Sequence, residues 1–528
     1  MTNRREFERC TPESVGIPSR AILDLLDRLE NGGFTEMHGL MIMRHDRVCA
    51  EGWWAPYAPG LHHALYSLSK TWTATAVGLA EYAGLLRVED RVCDLLPECM
   101  PDPLPARAAS VTVRHLLTMA SGSETEKEDY SADWLRDFFS RPFEHEPGSF
   151  WRYNSHGTTV LSAIVEKVTG MSMLDWLAQE LFPVIGVDAC HVLCRRGEDG
   201  TCLGGYGMFT TTEDNLRLMR LYLHGGVWDG RRLLSERFVK DAVSPLMDNA
   251  PAHIRTPWIY DNRCGYGYQI WRCQPEGSYR ADGAFGQFAV AVPRLDLIVS
   301  VNEAAYVGQH MTQNEIRRLT GRPPEEPDHP VYGPQSMLDA LFELLIPAID
   351  PEVHSLPESR DAGLLRQRML RLALPRPFAD VPAADPAPMD RTLLPHEDRI
   401  SFDMLQGIGK HNDRRGGADL IRLHAEDGQL TVVWTEDGLE RTLLADLRGG
   451  RTTGKLIYAD HGEIVSDVAC AARLTENRLE LSVLWYETEN HNRYTFTFEG
   501  TLVRIRKWTE AGRPDPLAVR EAVYRCAP

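Results

Sequence analysis

Two stretches of alternating apolar and polar residues constrain the first part of this chain more than any other feature. Gly39–Ala50 alternates around a turn containing Asp46, and Gly286–Val301 alternates around Pro293-Arg294-Leu295-Asp296. A period of two on either side of a turn is the mark of a β-hairpin. Between these stretches, apolar spacing near 3.6 predicts helices around 71–84, 111–120, 131–140, 157–169, 171–182, 212–224 and 235–243. Two hairpins at opposite ends of such a segment can join in one antiparallel sheet, with the helical middle packed against it.

Beyond the second hairpin, Met337, Leu338, Leu341, Leu344 and Leu345 predict a closing helix, and Leu364, Leu365, Met369 and Leu372 a further one. Prolines at 375, 377, 382, 386, 388 and 395 then mark a linker. From Arg399 to Arg506 the pattern changes to short alternating runs at Gln429–Trp434, Lys455–Tyr458, Arg478–Trp485 and Tyr494–Phe498. Evenly spaced strands with Asp-Gly and Gly-Gly turns predict a small antiparallel barrel or sandwich. The expected division is residues 1–350, a helix and Pro-rich linker at 351–397, and an all-β domain at 398–528. Trp434, Trp485 and Tyr486 are expected in the core of that last domain. No internal repeat is evident.

Composition narrows the function. At 528 residues, with 43% hydrophobic and 25% charged residues, the chain has the make-up of a globular protein of two domains. A net charge of -18 without a long basic run argues against nucleic acid and anionic membranes as partners. The start has no apolar leader and no 18-residue apolar run occurs, so a cytoplasmic location is expected. Eleven cysteines, scattered and odd in number, suit free thiols. Cys190, His191, Cys194 and Cys202 cluster, but without the paired C-x-x-C that structural zinc favours, so no metal is expected there.

Ser67 stands three residues before Lys70, at the predicted start of a helix. Only seven of the 57 basic residues are lysine, so this chain does not place lysine by default. The distinction matters because a guanidinium stays protonated, whereas a buried lysine can act as a base. At i, i+3 the two side chains share one helix face, and the first turn, with its unpaired N–H groups, favours an alkoxide. The plain alternative is a capping serine followed by a surface lysine.

Two further segments bear on this pair. Tyr153 lies in Phe150-Trp151-Arg152-Tyr153-Asn154-Ser155, at a loop-to-helix junction. Its plain role is packing; beside an ammonium its phenol can relay a proton, and Ser155 can hydrogen-bond Lys70. In Ala281-Asp282-Gly283-Ala284-Phe285-Gly286-Gln287 the glycines let a strand edge approach a ligand, so that a backbone N–H joins that of Ser67 in an oxyanion hole. A simple bulge is the alternative.

Together these motifs resemble the class C β-lactamase and penicillin-binding-protein-like serine hydrolases, whose first motif is S-x-x-K. The similarity runs from about residue 12 to 350 and takes in Val111–Gly122, Gly204–Thr211 and Gly225–Gly230. It implies an α/β (α+β) fold with an antiparallel sheet flanked by helices, a helical subdomain, and a C-terminal lipocalin-like β-barrel of the kind appended to some members. It further implies that Ser67 is the acylated nucleophile, Lys70 the adjacent base or relay, and Tyr153 a partner in the general-base role.

This chain departs from the family in its third motif. Where many members have K-T-G or H-T-G, it has Ala281-Asp282-Gly283, as in esterase-like and nylon-oligomer-hydrolase-like branches. The Ala284 N–H then becomes the second oxyanion donor, while Asp282 and Gly283 border the substrate together with Ser155, which stands where many members have Asn. Asp282 would repel a substrate carboxylate. Arg280 could compensate for the lost cation, though it is not among the expected site residues. The resemblance implies a serine hydrolase of small esters or amides that needs no metal or organic cofactor. Acyl transfer through the same intermediate is the alternative, and a binding or scaffold protein with a vestigial site is a third reading. Intact Ser67, Lys70 and Tyr153 count against the last.

Overall fold

The computed structural model describes residues 6–32, 35–125, 130–253, 259–305, 332–378, 388–402, 417–459, 463–509 and 520–527, with Thr312, Asn314 and Pro323. Its contacts divide the chain into two units, Met1–Glu303 with Tyr332–Leu372, and Ala304–Val331 with Ala373–Pro528.

In the first unit both predicted hairpins form. Thr35–Arg44 pairs antiparallel with Arg47–Trp53, and Gln287–Val292 pairs antiparallel with both Tyr279–Gly283 and Leu297–Ala305. One seven-stranded sheet contains them all, in the order Glu8–Arg9, Arg47–Trp53, Thr35–Arg44, Leu297–Ala305, Gln287–Val292, Tyr279–Gly283, Trp271–Arg272. The short first strand is parallel to its neighbour. Thr35–Arg44 therefore lies beside Leu297–Ala305, and their turns meet: His45 Nδ1 is 2.9 Å from Asp296 Oδ2, and buried Arg44 donates to the Leu295 carbonyl at 3.0 Å.

The predicted helices are all present, as Ser69–Tyr82, Val113–Leu117, Trp134–Ser140, Ser155–Thr169, Met173–Glu180, Thr212–Leu223 and Glu236–Ala242. Ser69–Tyr82 is buried on nearly every side, which fits its run of Ala, Thr and Leu and its position as the central helix. The predicted closing helix begins as Gly333–Ala340 and widens into a π-helical turn at Leu341–Leu345. Helix Arg360–Met369 packs on Ser19–Gly32, where Arg368 is paired with Asp27 and Glu30. Of the predicted linker, residues 379–387 lie outside the described residues, while Met389–Glu397 is a strand of the second unit.

That second unit is a closed nine-stranded barrel. Nine of its ten strands form the wall, which closes by a parallel bridge between Leu439–Asp446 and Glu463–Leu474 at Asp446 and Ala471. Thr452–Ala459 pairs outside the closure. Strict alternation, as in Gln429–Glu436, turns every second residue inward. Trp434 and Trp485 are buried in the core, where Phe402 stacks on Tyr494 at 4.9 Å; Tyr486 is buried as well.

Among the described residues, no helix is long and apolar enough to cross a membrane.

One ionic cluster ties the first hairpin turn to helix Thr212–Leu223. Arg220 donates to both oxygens of Asp46 at 2.7 Å, and His224 Nε2 is 2.9 Å from Asp46 Oδ1. Burial opposes the Asp46 charge, but the hydrogen bonds from His224 and Arg220 outweigh it and hold the carboxyl well below its ordinary range. The same bond raises the proton affinity of His224. A raised imidazole stabilises fully below its unfolded value near 6.5, and that contribution is lost as pH rises through the higher folded value. We expect the melting-temperature difference between wild type and His224→Gln to shrink between pH 5.5 and pH 8.5. Solvent screening keeps the contribution to about 0.5–1 kcal/mol. A pH-independent difference would show that the imidazolium is not the stabilising form.

Candidate active site

The turn bearing Ser67 is built differently from the expectation. Helix Ser69–Tyr82 begins only at Ser69, and Ser67 lies in a 3-10 turn, Tyr66–Leu68, that leads into it. Tyr66 adopts φ 48, which swings the chain into this turn. Such a conformation costs on the order of 1 kcal/mol or more for a residue with a side chain, so it persists only where packing enforces it. Here the Tyr66 ring packs edge-on against Phe285, at 5.1 Å between centroids. Phe285 is itself at φ 62. Two strained residues thus brace each other across the gap between the two turns.

Lys70 is 1% exposed and points back at Ser67. Its Nζ lies 3.1 Å from Ser67 Oγ, 3.1 Å from Ser155 Oγ and 2.5 Å from the Gly205 carbonyl. This arrangement suits either protonation state. An ammonium donates to all three oxygens, whereas a neutral amine donates to Gly205 and Ser155 and accepts the Ser67 proton. The Tyr153 ring stands over the same nitrogen, at 4.7 Å from its centroid. Ser69 is turned elsewhere: it is buried, and its Oγ accepts from the Met208 N–H at 3.0 Å.

Ser155 opens helix Ser155–Thr169, whose capping residue Asn154 accepts from the Gly157 N–H. That cap orients the first turn so that Ser155, also buried, meets Lys70. Tyr153 precedes it against an aromatic wall, stacked on Trp271 at 5.6 Å and backed by a buried cluster of Met119, Trp151, Tyr266 and Trp271.

The strand Tyr279–Gly283 runs past the Ser67 turn so closely that only glycine fits at its end. A Cβ at Gly283 would stand 2.1 Å from the Leu65 carbonyl oxygen. The chain then turns back, with the Gly286 N–H donating to Gly283 at 3.3 Å. Part-exposed Ala284 sits in this turn. Buried Gln287 braces it from behind: its Nε2 lies 3.3 Å from the carbonyls of Ala284 and Phe285 and 2.7 Å from that of Glu303. Asn302 donates to the Gln287 Oε1 at 2.9 Å and accepts from Thr212 at 2.7 Å. With its carbonyls held by Gln287, the turn that carries Ala284 follows directly on Gly283, which meets the Leu65 carbonyl just ahead of the Ser67 turn.

Arg280 does not take the place of the family's cation. It is completely buried beneath Trp271, where it donates to Asp282 at 2.7 Å, to Asn262 at 2.7 Å, and to the carbonyls of Asp261 and Arg272 at 3.0 Å. Burial opposes its charge, but Asp282 more than offsets this and the guanidinium is held protonated. For Asp282, one-fifth exposed, burial prevails over Arg280 and the carboxyl is pushed above its ordinary range. A residue two positions along the same strand face was the signal for this pair.

The sequence matches the Beta-lactamase family over residues 29–314, more than half of the chain. The chain belongs to the beta-lactamase family of serine hydrolases. It is 27% identical over 238 residues to the 6-aminohexanoate-dimer hydrolase of Paenarthrobacter ureafaciens, covering 42% of this chain and 60% of that protein. To penicillin-binding protein 4 of Amycolatopsis lactamdurans it is 29% identical over 296 residues, covering 48% and 75%. A solved structure, a putative beta-lactamase from Bacteroides dorei DSM 17855, superposes with a TM-score of 0.49 at 14% identity, covering 62% of this chain and 99% of that one. This chain thus spans less than two thirds of the first relative's length.

The Gly205 carbonyl and the Gln287 brace escaped the sequence reading, although Gly204-Gly205 and the final Gln of the third motif were visible as motif residues. A main-chain acceptor leaves no trace in side-chain chemistry. Among the described residues, Cys190, His191, Cys194 and Cys202 do not form a group able to hold a metal ion.

Proposed function

We propose that this protein is a serine hydrolase of small, uncharged esters or amides that works through an acyl-enzyme on Ser67. The observation that carries the reading is the position of Lys70, with Ser67 and Ser155 oxygens both at 3.1 Å and the Gly205 carbonyl at 2.5 Å. The Ser67 oxygen attacks a carbonyl carbon while its proton passes to the Lys70–Tyr153 pair, and the N–H groups of Ser67 and Ala284 stabilise the oxyanion. Collapse expels the alcohol or amine, which takes up that proton. Water then attacks the acyl carbon and frees the acid. The name of one relative, a 6-aminohexanoate-dimer hydrolase, supports hydrolysis of an amide, without bearing on the charge of the substrate here.

Labelling with a fluorophosphonate, followed by intact-mass analysis and peptide mapping, tests the nucleophile. We expect one adduct, on Ser67. An adduct on Ser69, or none on folded protein, would refute the assignment.

The preference for uncharged substrates rests on Arg280 being fully occupied, with Asp282 at the edge of the site. We expect kcat/KM for p-nitrophenyl butyrate to exceed that for nitrocefin, which carries a carboxylate. Asp282→Asn, which keeps an acceptor for Arg280, is expected to improve nitrocefin relative to the ester by about fivefold, the equivalent of about 1 kcal/mol for one part-exposed charge. Equal changes for both substrates would mean that Asp282 does not face the substrate.

A further inference from the structure

Behind the turn that carries Ala284 lies a carboxyl group with no partner. Glu303, on strand Leu297–Ala305, is completely buried, and among the described residues neither of its carboxyl oxygens makes a hydrogen bond. Gly286, at φ +86, makes room for it: a Cβ there would stand 1.9 Å from Glu303 Oε1 and 2.5 Å from its Cγ and Cδ. The Glu303 main-chain carbonyl accepts the Gln287 amide at 2.7 Å, the same nitrogen that braces Ala284 and Phe285. One residue therefore meets the turn through both its side chain and its backbone.

A buried acid with no donor is stable only in its neutral form. Burial alone raises the proton affinity of Glu303 well above the carboxyl range. Strand Gln287–Val292 has no titratable side chain. Asp282 and Arg280 on the next strand, Glu36, His38 and Arg44 on Thr35–Arg44, and Asp339 on Gly333–Ala340 contribute nothing to that shift.

We propose that Glu303 is a positioning residue of the oxyanion turn: as the neutral acid it seats Gly286 and holds the Ala284 N–H toward Ser67, and as the carboxylate it disables that donor. A negative charge buried against the turn opposes the developing oxyanion, and the water it draws in displaces the turn. The proton is lost to solvent and the step is reversible. This rests on the serine-hydrolase reading of Ser67.

The test is the rate at which a fluorophosphonate labels Ser67 between pH 6 and pH 10, in wild type and in Glu303→Gln, a neutral side chain of the same shape. At pH 7 the two are expected to label at rates within about threefold of each other. Toward the alkaline end wild type falls reversibly, by about tenfold per pH unit once the acid ionises, along a limb that Glu303→Gln lacks. Glu303→Met, also neutral and of similar length, makes the same comparison if the glutamine variant does not fold. Superimposable profiles would overturn the proposal, as would slow labelling of a folded Glu303→Gln at pH 7. Folded wild type that is labelled elsewhere than Ser67, or not at all, overturns the hydrolase reading and this inference with it.

Discussion

Replacing Lys70 by arginine is expected to lower kcat/KM for p-nitrophenyl butyrate by about three to four powers of ten, nearly as far as Lys70→Ala. Arginine keeps the positive charge but has no lone pair to accept the Ser67 proton. The surroundings sharpen the comparison. Lys70 is buried and ends in three oxygen contacts at 2.5–3.1 Å, a set matched to one nitrogen rather than to a planar fork. Steady-state rates on the three proteins, with circular dichroism to confirm folding, decide the matter. An exogenous primary amine should restore part of the activity to Lys70→Ala. Should Lys70→Arg keep most of its activity, Lys70 serves only as a nearby charge and Tyr153 acts as base by itself.

Gly283→Ala should be the most damaging change that removes no reactive group. The added methyl would stand 2.1 Å from the Leu65 carbonyl oxygen and 2.9 Å from the Gln287 Cβ, and the first of these is backbone that cannot swing aside. The strand end must retreat from the Ser67 turn and take Ala284 with it. We expect kcat to fall by about 10²–10³, the loss associated with one oxyanion donor, with a smaller effect on KM. Measured kcat and KM together with thermal melting separate this from unfolding. Wild-type kcat in the alanine variant would place the second donor elsewhere.

The sequence made side-chain periodicity and side-chain chemistry legible. Alternation in Gly39–Ala50 and Gly286–Val301 was enough to predict both hairpins, and the approach of Ser67 to Lys70 followed from their spacing at the start of a helix. What stayed hidden is main-chain geometry. Nothing in the letters showed that Tyr66 would take φ 48 and place Ser67 in a 3-10 turn ahead of the helix. Nor could they show the Gly205 carbonyl on Lys70, since any residue supplies a carbonyl. Arg280 shows a related limit: a charged residue two positions from another can face solvent or its neighbour, and here burial under Trp271 selects the neighbour. The parallel bridge that closes the barrel depends on a single long-range register that local alternation leaves unspecified.

The strand order of the first sheet also bears on the birth of the protein. Thr35–Arg44 takes as its neighbour Leu297–Ala305, whose residues leave the ribosome long after the Ser67–Lys70 segment has emerged. Until then the inner edge of the first hairpin has no partner, and the turn at Gly283–Gly286 has no seat. Non-local pairing of this kind is slow, because a long loop must close before any contact rewards it. A nascent chain therefore carries Ser67 and Lys70 through more than two hundred further residues before the strand that completes the sheet is made.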